Sequence, residues 1–333
     1  MTPVSERLDS HRDESRPANH LTGDRPALHG SVVIPVFNRG DLLRLVLAEL
    51  SRQTLAADAF EVLVCDDGST SSLDPVVAEF APLLPRLRHL RQANQGPAAA
   101  RNLGVAHARG AVIVFLDSDV VPDADLVRSL TAALERHPEW QGAEARLVPT
   151  GGANTPVWEA PRTDAGGHYH TAGIAYRKEV LEAVGGLDEG FSMAACEDVE
   201  LAYQVLRHGP IGFVPEAVVH HPRRRRTVAS TWKSRRNWRF VQILACRHGF
   251  VAWPRHTTRW PRLETAWCAA VKLPLGRAVS ALRSIGRSPA DGVGGLALAV
   301  VAGIGGLAMV PTILFGSVPA RRSRFLPAPR QVT

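Results

Sequence analysis

The stretch Ala111-Val-Ile-Val-Phe-Leu-Asp-Ser-Asp119 decides the fold of this chain. Its five consecutive apolar residues, 112–116, predict a strand that is buried on both faces of a parallel sheet. Asp117 and Asp119 follow where the strand ends, and ligands bind outside the carboxyl ends of the strands in open α/β sheets. Because residues i and i+2 of a strand share a face, both carboxylates can converge on one hard cation, Mg²⁺ or Mn²⁺. A solvated turn rich in Asp is the plain alternative.

Strands and helices alternate upstream of this stretch. Apolar runs at residues 32–37 and 60–65, with a weaker run at 86–91, predict strands. Between them, leucine and valine recur at helical spacing from Leu42, and Pro97 is placed as a first-turn residue. Such alternation predicts right-handed βαβ units. The predicted fold class is therefore α/β, with a Rossmann-like, mostly parallel central sheet flanked by helices.

Polar residues follow three of the predicted strands. Residues 35–38 end the first strand, Asp66 and Asp67 end the second, and residues 117–119 end the central one. A parallel sheet brings these three tips to one edge. One Asp pair at a strand end is often only a helix cap. Carboxylates at two strand ends, together with the Gly-Pro helix start at residues 96–97, indicate a nucleotide cleft.

Length, charge and cysteine usage narrow the class of protein. The 333 residues suffice for one large domain with an appendage, or for two domains. The net charge of +7, carried mainly by arginine, indicates anionic partners unless it reflects a coding bias. The four cysteines (Cys65, Cys196, Cys246, Cys268) are scattered, which argues against disulfides and a zinc site and favours a reducing, cytosolic compartment. Residues 1–29 predict a disordered tail without a secretory signal.

The second half carries another pair of acidic residues. Residues 139–172 lack clear periodicity, as a disordered insertion or a binding loop does. Its candidate sugar-facing side chains are Trp158, His168, Tyr169 and His170. A strand at 172–178 precedes an amphipathic helix at 197–207, and Glu197 and Asp198 fall in the first turn of that helix. A single acidic residue in the first turn would be explained by its attraction to the positive end of the helix dipole.

Four segments resemble the successive motifs of family-two glycosyltransferases with the GT-A fold. They are Ser31-Val-Val-Ile-Pro-Val-Phe-Asn38, Val64-Cys-Asp-Asp-Gly-Ser-Thr70, Asn94-Gln-Gly-Pro-Ala-Ala-Ala-Arg-Asn102 and Phe115-Leu-Asp-Ser-Asp119. Their order and spacing match the family, and the resemblance covers roughly residues 30–225. It implies a donor half at 30–120, an acceptor half at 121–225, and a nucleoside-diphosphate sugar, most often UDP-linked, lying across the strand tips.

The resemblance also implies roles for individual residues. The expected nucleotide-sugar-binding residues are Pro35, Val36, Phe37, Asn38, Asp66, Asp67, Gly96, Arg101, Asp117 and Ser118. Asp119 is expected to bind a divalent metal on the diphosphate, and Asp198 to be the general base, with Glu197 supporting it. Direct attack by an acceptor hydroxyl would invert the anomeric centre. The chain has Gly173-Ile-Ala where the family often shows Gly-x-Asn, which concerns the contacts with the acceptor.

A strand at 211–221 ends in two histidines, His220 and His221. His221, or else His220, is a candidate third ligand for the metal beside Asp119, and neutral imidazole suits Mn²⁺ better than Mg²⁺. A surface histidine pair at a strand end is an equally good interpretation.

A dense basic run follows this strand, consisting of Arg223 to Arg226, Lys233, Arg235, Arg236 and Arg239, with Trp232 and Trp238 among them. It suits a diphosphate, an anionic membrane leaflet or a nucleic acid. We expect no nucleic-acid partner, because no nucleic-acid-binding fold precedes the run.

Residues 226–333 form a basic and hydrophobic region that is predicted to be helical, notably at 240–285. Residues 292–320 carry no charge and are long enough to cross a membrane, which takes about 20 apolar residues. A surface-lying or re-entrant hairpin and a soluble lid helix are the alternatives. We expect membrane attachment at the inner, cytoplasmic face, which suits a lipid-linked acceptor, although a sugar or small-molecule acceptor remains open.

Rival functions are separable on the residues. A glycoside hydrolase also uses paired carboxylates, but it has no need of the nucleotide apparatus at 35–67. An inactive nucleotide-sugar-binding or membrane scaffold protein would tolerate loss of Asp198. A nucleotide sugar pyrophosphorylase would be expected to carry a Gly-rich N-terminal phosphate loop, which is not found here.

Overall fold

The computed structural model describes residues 28–153, 155–248, 250–252, 255–257 and 260–322, so residues 1–27 of the predicted tail lie outside the described part. The first half contains β1 (Gly30–Val36), α1 (Gly40–Leu50), β2 (Phe60–Asp66), α2 (Asp74–Phe80), β3 (Leu87–Arg91), α3 (Pro97–His107), β4 (Val112–Phe115), β5 (Val121–Pro122) and α4 (Leu126–Arg136). The middle contains β6 (Gly142–Thr150), β7 (Trp158–Glu159), β8 (Ile174–Arg177), α5 (Lys178–Ala183), α6 (Glu197–Val205), β9 (Ile211–Pro222) and β10 (Arg224–Arg225). The C-terminal region contains α7 (Val228–Ser234), α8 (Asn237–His248), β11 (Phe250–Ala252), β12 (Arg255–Thr257), α9 (Pro261–Trp267), a π-helical turn (Cys268–Lys272), α10 (Leu273–Ser284) and α11 (Pro289–Phe315).

Eight strands form the central sheet in the order β3-β2-β1-β4-β8-β6-β9-β5. The pairs β3–β2, β2–β1, β1–β4 and β6–β9 are parallel, whereas β8 runs antiparallel to both of its neighbours and β5 is antiparallel to β9. The predicted mostly parallel sheet with flanking helices is thereby confirmed. Because β1, β2 and β4 run the same way, their carboxyl ends lie at one edge.

The buried strands have apolar side chains on both faces. Val32 and Ile34 of β1 belong to the core beneath α1 and α4, whereas Val33 between them belongs to the core beneath α3. Gly104 lets α3 approach closely, since a Cβ there would lie 2.4 Å from the Val33 side chain. Burial on both faces is why these strands appear in the sequence as continuous apolar runs.

The segment 139–172, which the sequence left irregular, contains the nine-residue strand β6. β6 lies inside the sheet between β8 and β9. The alternate β6 residues that belong to the hydrophobic core are Ala143, Ala145 and Leu147. Glu144, between the two alanines, is also buried. Alanine and glutamate are poor strand formers, so the pattern was too weak to identify from the sequence.

The C-terminal region packs directly against the loop before α6. Phe240 and Ile243 of α8 form a buried cluster with Phe191, and Leu244 packs against Cys196. The region is helical as predicted, except that β11 and β12 form a short antiparallel pair within 240–285. The long apolar segment is the single helix α11, which packs along α10, the π turn and α9.

Glycines explain how α11 packs so closely. A Cβ at Gly306 would stand 2.0 Å from the carbonyl oxygen of Ala269, and one at Gly295 would stand 2.4 Å from Pro156. By contrast, a Cβ at Gly303 would meet Pro274 at an ordinary 3.5 Å. The glycines that weaken this segment as an isolated helix therefore include those that let it approach its neighbours.

Two alanine substitutions in α11 should change stability in opposite directions. Helix propensity alone favours alanine over glycine by up to about 1 kcal/mol at either site. We expect Gly303→Ala to raise the free energy of unfolding slightly, and Gly306→Ala to lower it by about 1–3 kcal/mol, because the new methyl group collides with backbone. Urea denaturation of both variants measures this. Equal stabilisation by the two would contradict the close packing.

Candidate active site

Two carboxylates and a histidine meet at the end of β4. One ligand atom from each of Asp117, Asp119 and His221 lies within 4.8 Å of the other two. Asp119 and His221 are buried, and Ser118 is buried between the two aspartates in sequence. Nδ1 of His221 lies 2.9 Å from the carbonyl oxygen of Pro222, which can only accept a hydrogen bond. Nδ1 is thus the protonated nitrogen, and Nε2 offers its lone pair, as in many metal-binding histidines.

The other candidate, His220, is engaged elsewhere. Its Nε2 lies 2.8 Å from Oδ1 of Asp123, and it is not part of the three-residue group. Adjacent residues of a strand point to opposite faces, so β9 can bring only one of the two histidines to the β4 end.

Arg101 joins this group to the second acidic pair. It lies on α3, is buried, and donates from Nη2 to Oδ1 of Asp117 at 2.7 Å and from Nη1 to Oε1 of Glu197 at 3.2 Å. Burial acts to lower the pKa of Arg101, but the two carboxylates raise it above its ordinary value. The guanidinium therefore stays charged and holds the start of α6 against the end of β4.

The acidic pair at the start of α6 has two different environments. Glu197 is buried, and its Oε2 has no hydrogen-bond partner. Burial and the neighbouring charge of Asp198 raise the pKa of Glu197 to about 7, although Arg101 opposes this. The Asp198 side chain is partly exposed, accepts from the backbone N–H of Val199, and has Oδ2 3.6 Å from Nδ1 of His170. Asp198 is thus the member of the pair that solvent or a substrate can reach.

His170 is positioned by a buried glutamate that the sequence analysis missed. Glu144 on β6 accepts backbone N–H bonds from Gly167, His168 and Tyr169 at 2.6–2.9 Å, which fixes the loop that leads to His170. Burial acts to lower the pKa of His170, but the Asp198 carboxylate raises it above its ordinary value. His170 therefore favours the charged form beside Asp198.

Backbone strain concentrates at this site. Among the described residues, positive φ outside glycine occurs at Asn38 (55°), Tyr169 (61°) and Cys196 (68°). Tyr169 directly precedes His170, and Cys196 directly precedes Glu197. Asn38 lies in the loop after β1, next to Arg39. Such conformations persist only where surrounding contacts enforce them, and they cluster at functional sites.

Asp67 organises the loop before α3, on the side where the sequence predicts the nucleotide. One of its oxygens accepts from the backbone N–H of Gln95 and the side chain of Gln92, and the other accepts from the N–H of Gly96, all at 2.8–2.9 Å. Gly96 itself has φ of 95°, and a Cβ there would lie 3.0 Å from the carbonyl oxygen of Ser192. Asp67 thus anchors the loop before α3, and three of its roughly four acceptor positions are used.

The loop after β1 is tied to the loop after β2. Asn38 donates its backbone N–H to Ser69 and accepts from Thr70 through its side chain. Phe37 is half-exposed at this edge, Pro35 is partly buried, and Val36 is buried. Asp66 is fully buried, and its carboxylate bonds to the N–H of Ser69 and to Arg91. Asp66 therefore holds the turn, while residues 35–38 line the edge.

Two arginines cover the Asp119 carboxylate. Arg39, from the loop after β1, and Arg224, from β10, both contact its Oδ2. β10 pairs with β7, so residues 158–159 and 224–225 form a small two-stranded flap beside Asp119. The sequence indicated that the basic run could lie over a diphosphate, but nothing in it singled out Arg39.

Known proteins resemble the chain in sequence. Residues 31–150 match the family model described as Glycosyl transferase family 2. Validoxylamine A glucosyltransferase of Streptomyces hygroscopicus subsp. jinggangensis is 31% identical over 218 residues, 54% of this chain and 51% of that protein. Chondroitin synthase of Escherichia coli is 39% identical over 101 residues, 30% of this chain and 14% of that protein. The chain thus spans about half the length, or less, of the curated relatives it matches.

Solved structures resemble it in fold. Mannosyltransferase PcManGT from Pyrobaculum calidifontis, in complex with GDP-Man and Mn²⁺, superposes with a TM-score of 0.59 at 19% identity, covering 85% of this chain and 88% of that one. S. aureus TarS 1–349 in complex with UDP-GlcNAc gives 0.54 at 16% identity, covering 86% and 90%. Likeness at such identities concerns the fold alone, and it confirms the predicted GT-A architecture.

The raised pKa of Glu197 predicts a pH-dependent stability difference. The folded state holds the Glu197 proton up to about pH 7, whereas the unfolded chain loses it near the ordinary 4.5. Folded protein binds more protons in this window, so wild-type stability falls as the pH rises through it. Relative to wild type, Glu197→Gln should therefore gain about 1–3 kcal/mol between pH 4.5 and 8, measured by urea denaturation.

Glu200→Gln on the same helix is the matched control. Burial acts to raise the pKa of Glu200, but His248 and Arg321 lower it below its ordinary value. Its contribution to stability is fully present above pH 4.5 and is lost only in more acidic solution, so its difference from wild type should stay flat between pH 5 and 8. A flat difference for Glu197→Gln as well would contradict the raised pKa.

Proposed function

We propose that this chain, as a family-two glycosyltransferase, transfers a sugar from a nucleoside-diphosphate sugar to an acceptor hydroxyl, with inversion of the anomeric centre. A UDP-linked sugar is the first donor to test. The observation that carries the proposal is the unbroken series of contacts from Asp119 and Asp117 through Arg101 to Glu197 and Asp198. It joins a phosphate-binding edge to a reachable carboxylate. Neither a hydrolase nor a binding scaffold needs that connection.

The donor would lie across the carboxyl ends of β1, β2 and β4. Its base would sit at the linked loops of Asn38 and Asp67, and its diphosphate would reach Asp119. Arg39 and Arg224 already contact that carboxylate, and guanidinium groups bind phosphate oxygens through paired hydrogen bonds. We expect both arginines to turn from Asp119 to the diphosphate when the donor binds.

The site also fits a divalent metal. Two carboxylates and one neutral imidazole, converging within 4.8 Å, are a donor set that Mn²⁺ or Mg²⁺ accepts. Asp117, Asp119 and Nε2 of His221 would hold the ion. When bound, it would neutralise the charge that develops on the diphosphate leaving group.

Asp198 would act as the general base. As the acceptor oxygen bonds to the anomeric carbon, its proton passes to the Asp198 carboxylate and the bond to the diphosphate breaks on the opposite face. One displacement inverts the configuration and requires no covalent enzyme intermediate. His170, beside Asp198 and favoured in its charged form, would orient the base.

The acceptor is a sugar, lipid-linked or small-molecule hydroxyl compound in this proposal, and the enzyme works at the cytoplasmic face of a membrane. Support for the membrane comes from the C-terminal region. α11 is a helix of 27 residues that is long and apolar enough to cross a bilayer, which by itself is weak evidence. No nucleic-acid partner is proposed.

Asp198→Asn tests the chemistry. Removing the base should lower kcat for UDP release in the presence of Mn²⁺ and an acceptor by about 10²–10⁴-fold, while UDP binding stays near wild type. Asp164→Asn, a surface acid paired with Arg162, should retain full activity. Failure of wild-type protein to release nucleotide across a broad donor and acceptor panel would favour a scaffold, and release of pyrophosphate would indicate a pyrophosphorylase.

The two histidines at the end of β9 provide a paired test of the metal. His221→Ala should weaken Mn²⁺-dependent UDP binding by about tenfold or more, because a ligand is lost. His220→Ala should leave it unchanged, since that side chain pairs with Asp123. Isothermal titration with and without chelator gives both values. Equal effects of the two substitutions would argue against the ligand set.

A further inference from the structure

Both ends of α11 lie against the catalytic part of the protein. Its N-terminal half contacts the loop before β7, where a Cβ at Gly295 would touch Pro156. Beyond its C-terminal end, Arg321 donates to the carbonyl oxygens of Val184 and Gly186. A helix of 27 residues is about 40 Å long, and crossing a bilayer would carry these ends to opposite sides. α11 therefore does not cross the membrane in this arrangement.

The tie at the C-terminal end is extensive and charged. The backbone N–H of Arg322 donates to Asp188, and Arg247 on α8 bonds both Asp188 and the carbonyl oxygen of Pro319. Arg321 also pairs with the fully buried Glu200. Pulling this segment away would take one partner from each of the buried carboxylates of Asp188 and Glu200, which is costly.

α11 exposes one continuous apolar stripe. Its large exposed side chains, between 55% and 84% accessible, are Val293, Val300, Ile304, Leu307 and Phe315. Spacings of seven, four, three and eight residues place them on one face. The opposite face is buried against protein through Gly295, Leu298, Gly305 and Gly306. Five large apolar side chains in one row make a contiguous patch that soluble surfaces rarely present.

A second exposed stripe lies on the neighbouring helices, and its members are Leu263, Trp267, Leu275, Val279 and Leu282. The two stripes meet at one end, because Trp260 and Leu263 line the same groove of about 430 Å³ as Leu314 and Phe315. The segment 261–284 also carries Glu264, Lys272, Arg277 and Arg283. Such charges oppose insertion of this segment across a bilayer, but they suit a helix that lies in the bilayer surface.

The charge of this region suits anionic lipid. Residues 226–333 contain 17 Arg and Lys against two acidic residues, a formal charge of +15, whereas residues 1–225 carry −8. Next to the stripe, Arg283 and Arg287 line a cavity of about 310 Å³ together with Thr155, Ser280 and Ser284, and none of the described residues that line it is a carboxylate. Arginine and hydroxyl groups around such a space suit a phosphate group.

We propose that α9, α10 and α11 form a docking face that lies in the plane of an anionic membrane leaflet, with the Arg283–Arg287 cavity taking a lipid phosphate. Basic residues flank the stripes, so a second copy of the chain would bring like charges together, whereas an anionic leaflet offers the opposite charge. This deepens the location given in the proposed function, and it concerns binding that needs no sugar nucleotide.

Vesicle sedimentation of the full chain, without nucleotide or metal, tests the face. Binding should be strong to phosphatidylcholine vesicles containing phosphatidylglycerol, weak to phosphatidylcholine alone, and reduced by salt. The triple variant Val300→Asp/Ile304→Asp/Leu307→Asp should bind about tenfold less or worse. The matched control, Leu45→Asp/Leu83→Asp, changes exposed leucines of the catalytic part and should bind as wild type does.

Three further outcomes decide the mode of binding. Arg283→Ser/Arg287→Ser should lose about fivefold per arginine on anionic vesicles and nothing on neutral ones. Alkaline carbonate should release wild-type protein from vesicles, and retention would mean that α11 spans. A stripe-dependent dimer in lipid-free solution, seen by light scattering, would assign the face to a second copy. Wild-type protein that releases UDP but does not bind anionic vesicles would overturn this proposal and leave the proposed function standing.

Discussion

The buried side chain of Arg101 has to satisfy two carboxylates from distant parts of the chain. Asp117 belongs to the end of the central strand, and Glu197 begins a helix of the second half. A buried guanidinium is tolerable only when its charge is paired, so both carboxylates must approach it. One side chain thus holds the end of β4 and the start of α6 together. Burial of Glu197, and after it the nearby charge of Asp198, raise the pKa of Glu197 in this arrangement.

The same acidic helix start depends on the C-terminal region. Cys196 holds a left-handed backbone conformation just before Glu197, and α8 packs against it through Leu244. Phe191, at the other end of this loop, is buried by Phe240. Strain of this kind needs support from surrounding contacts. The helices after residue 226 are therefore part of the structure that positions the carboxylates, besides carrying the apolar face.

The composition of the long apolar helix suggests that it spans a membrane, whereas its contacts show that it packs on the rest of the protein. Its glycines permit close packing, and its far end is fixed to buried acids by Arg321 and Arg247. The loop of Pro156 and Val157 touches α11 and leads into the β7 strand of the flap beside Asp119. One loop thus connects the packed face of α11 with the flap, and the apolar stripe lies on the opposite face of the helix.

The sequence by itself determined the sheet of the first half. It also located polar residues at three strand ends and an acidic pair at a helix start, whose roles stay predictions. Continuous apolar runs and terminal carboxylates are local patterns. The runs are easy to recognise because strands that are buried on both faces have apolar side chains at every position. The sequence did not predict β6, because the alanines and the buried glutamate in it are poor strand formers. Only the tertiary structure selected His221 over His220, brought Arg39 and Arg224 onto Asp119, and returned both ends of α11 to the catalytic part. Such choices depend on contacts between residues far apart in the chain, which no local periodicity records.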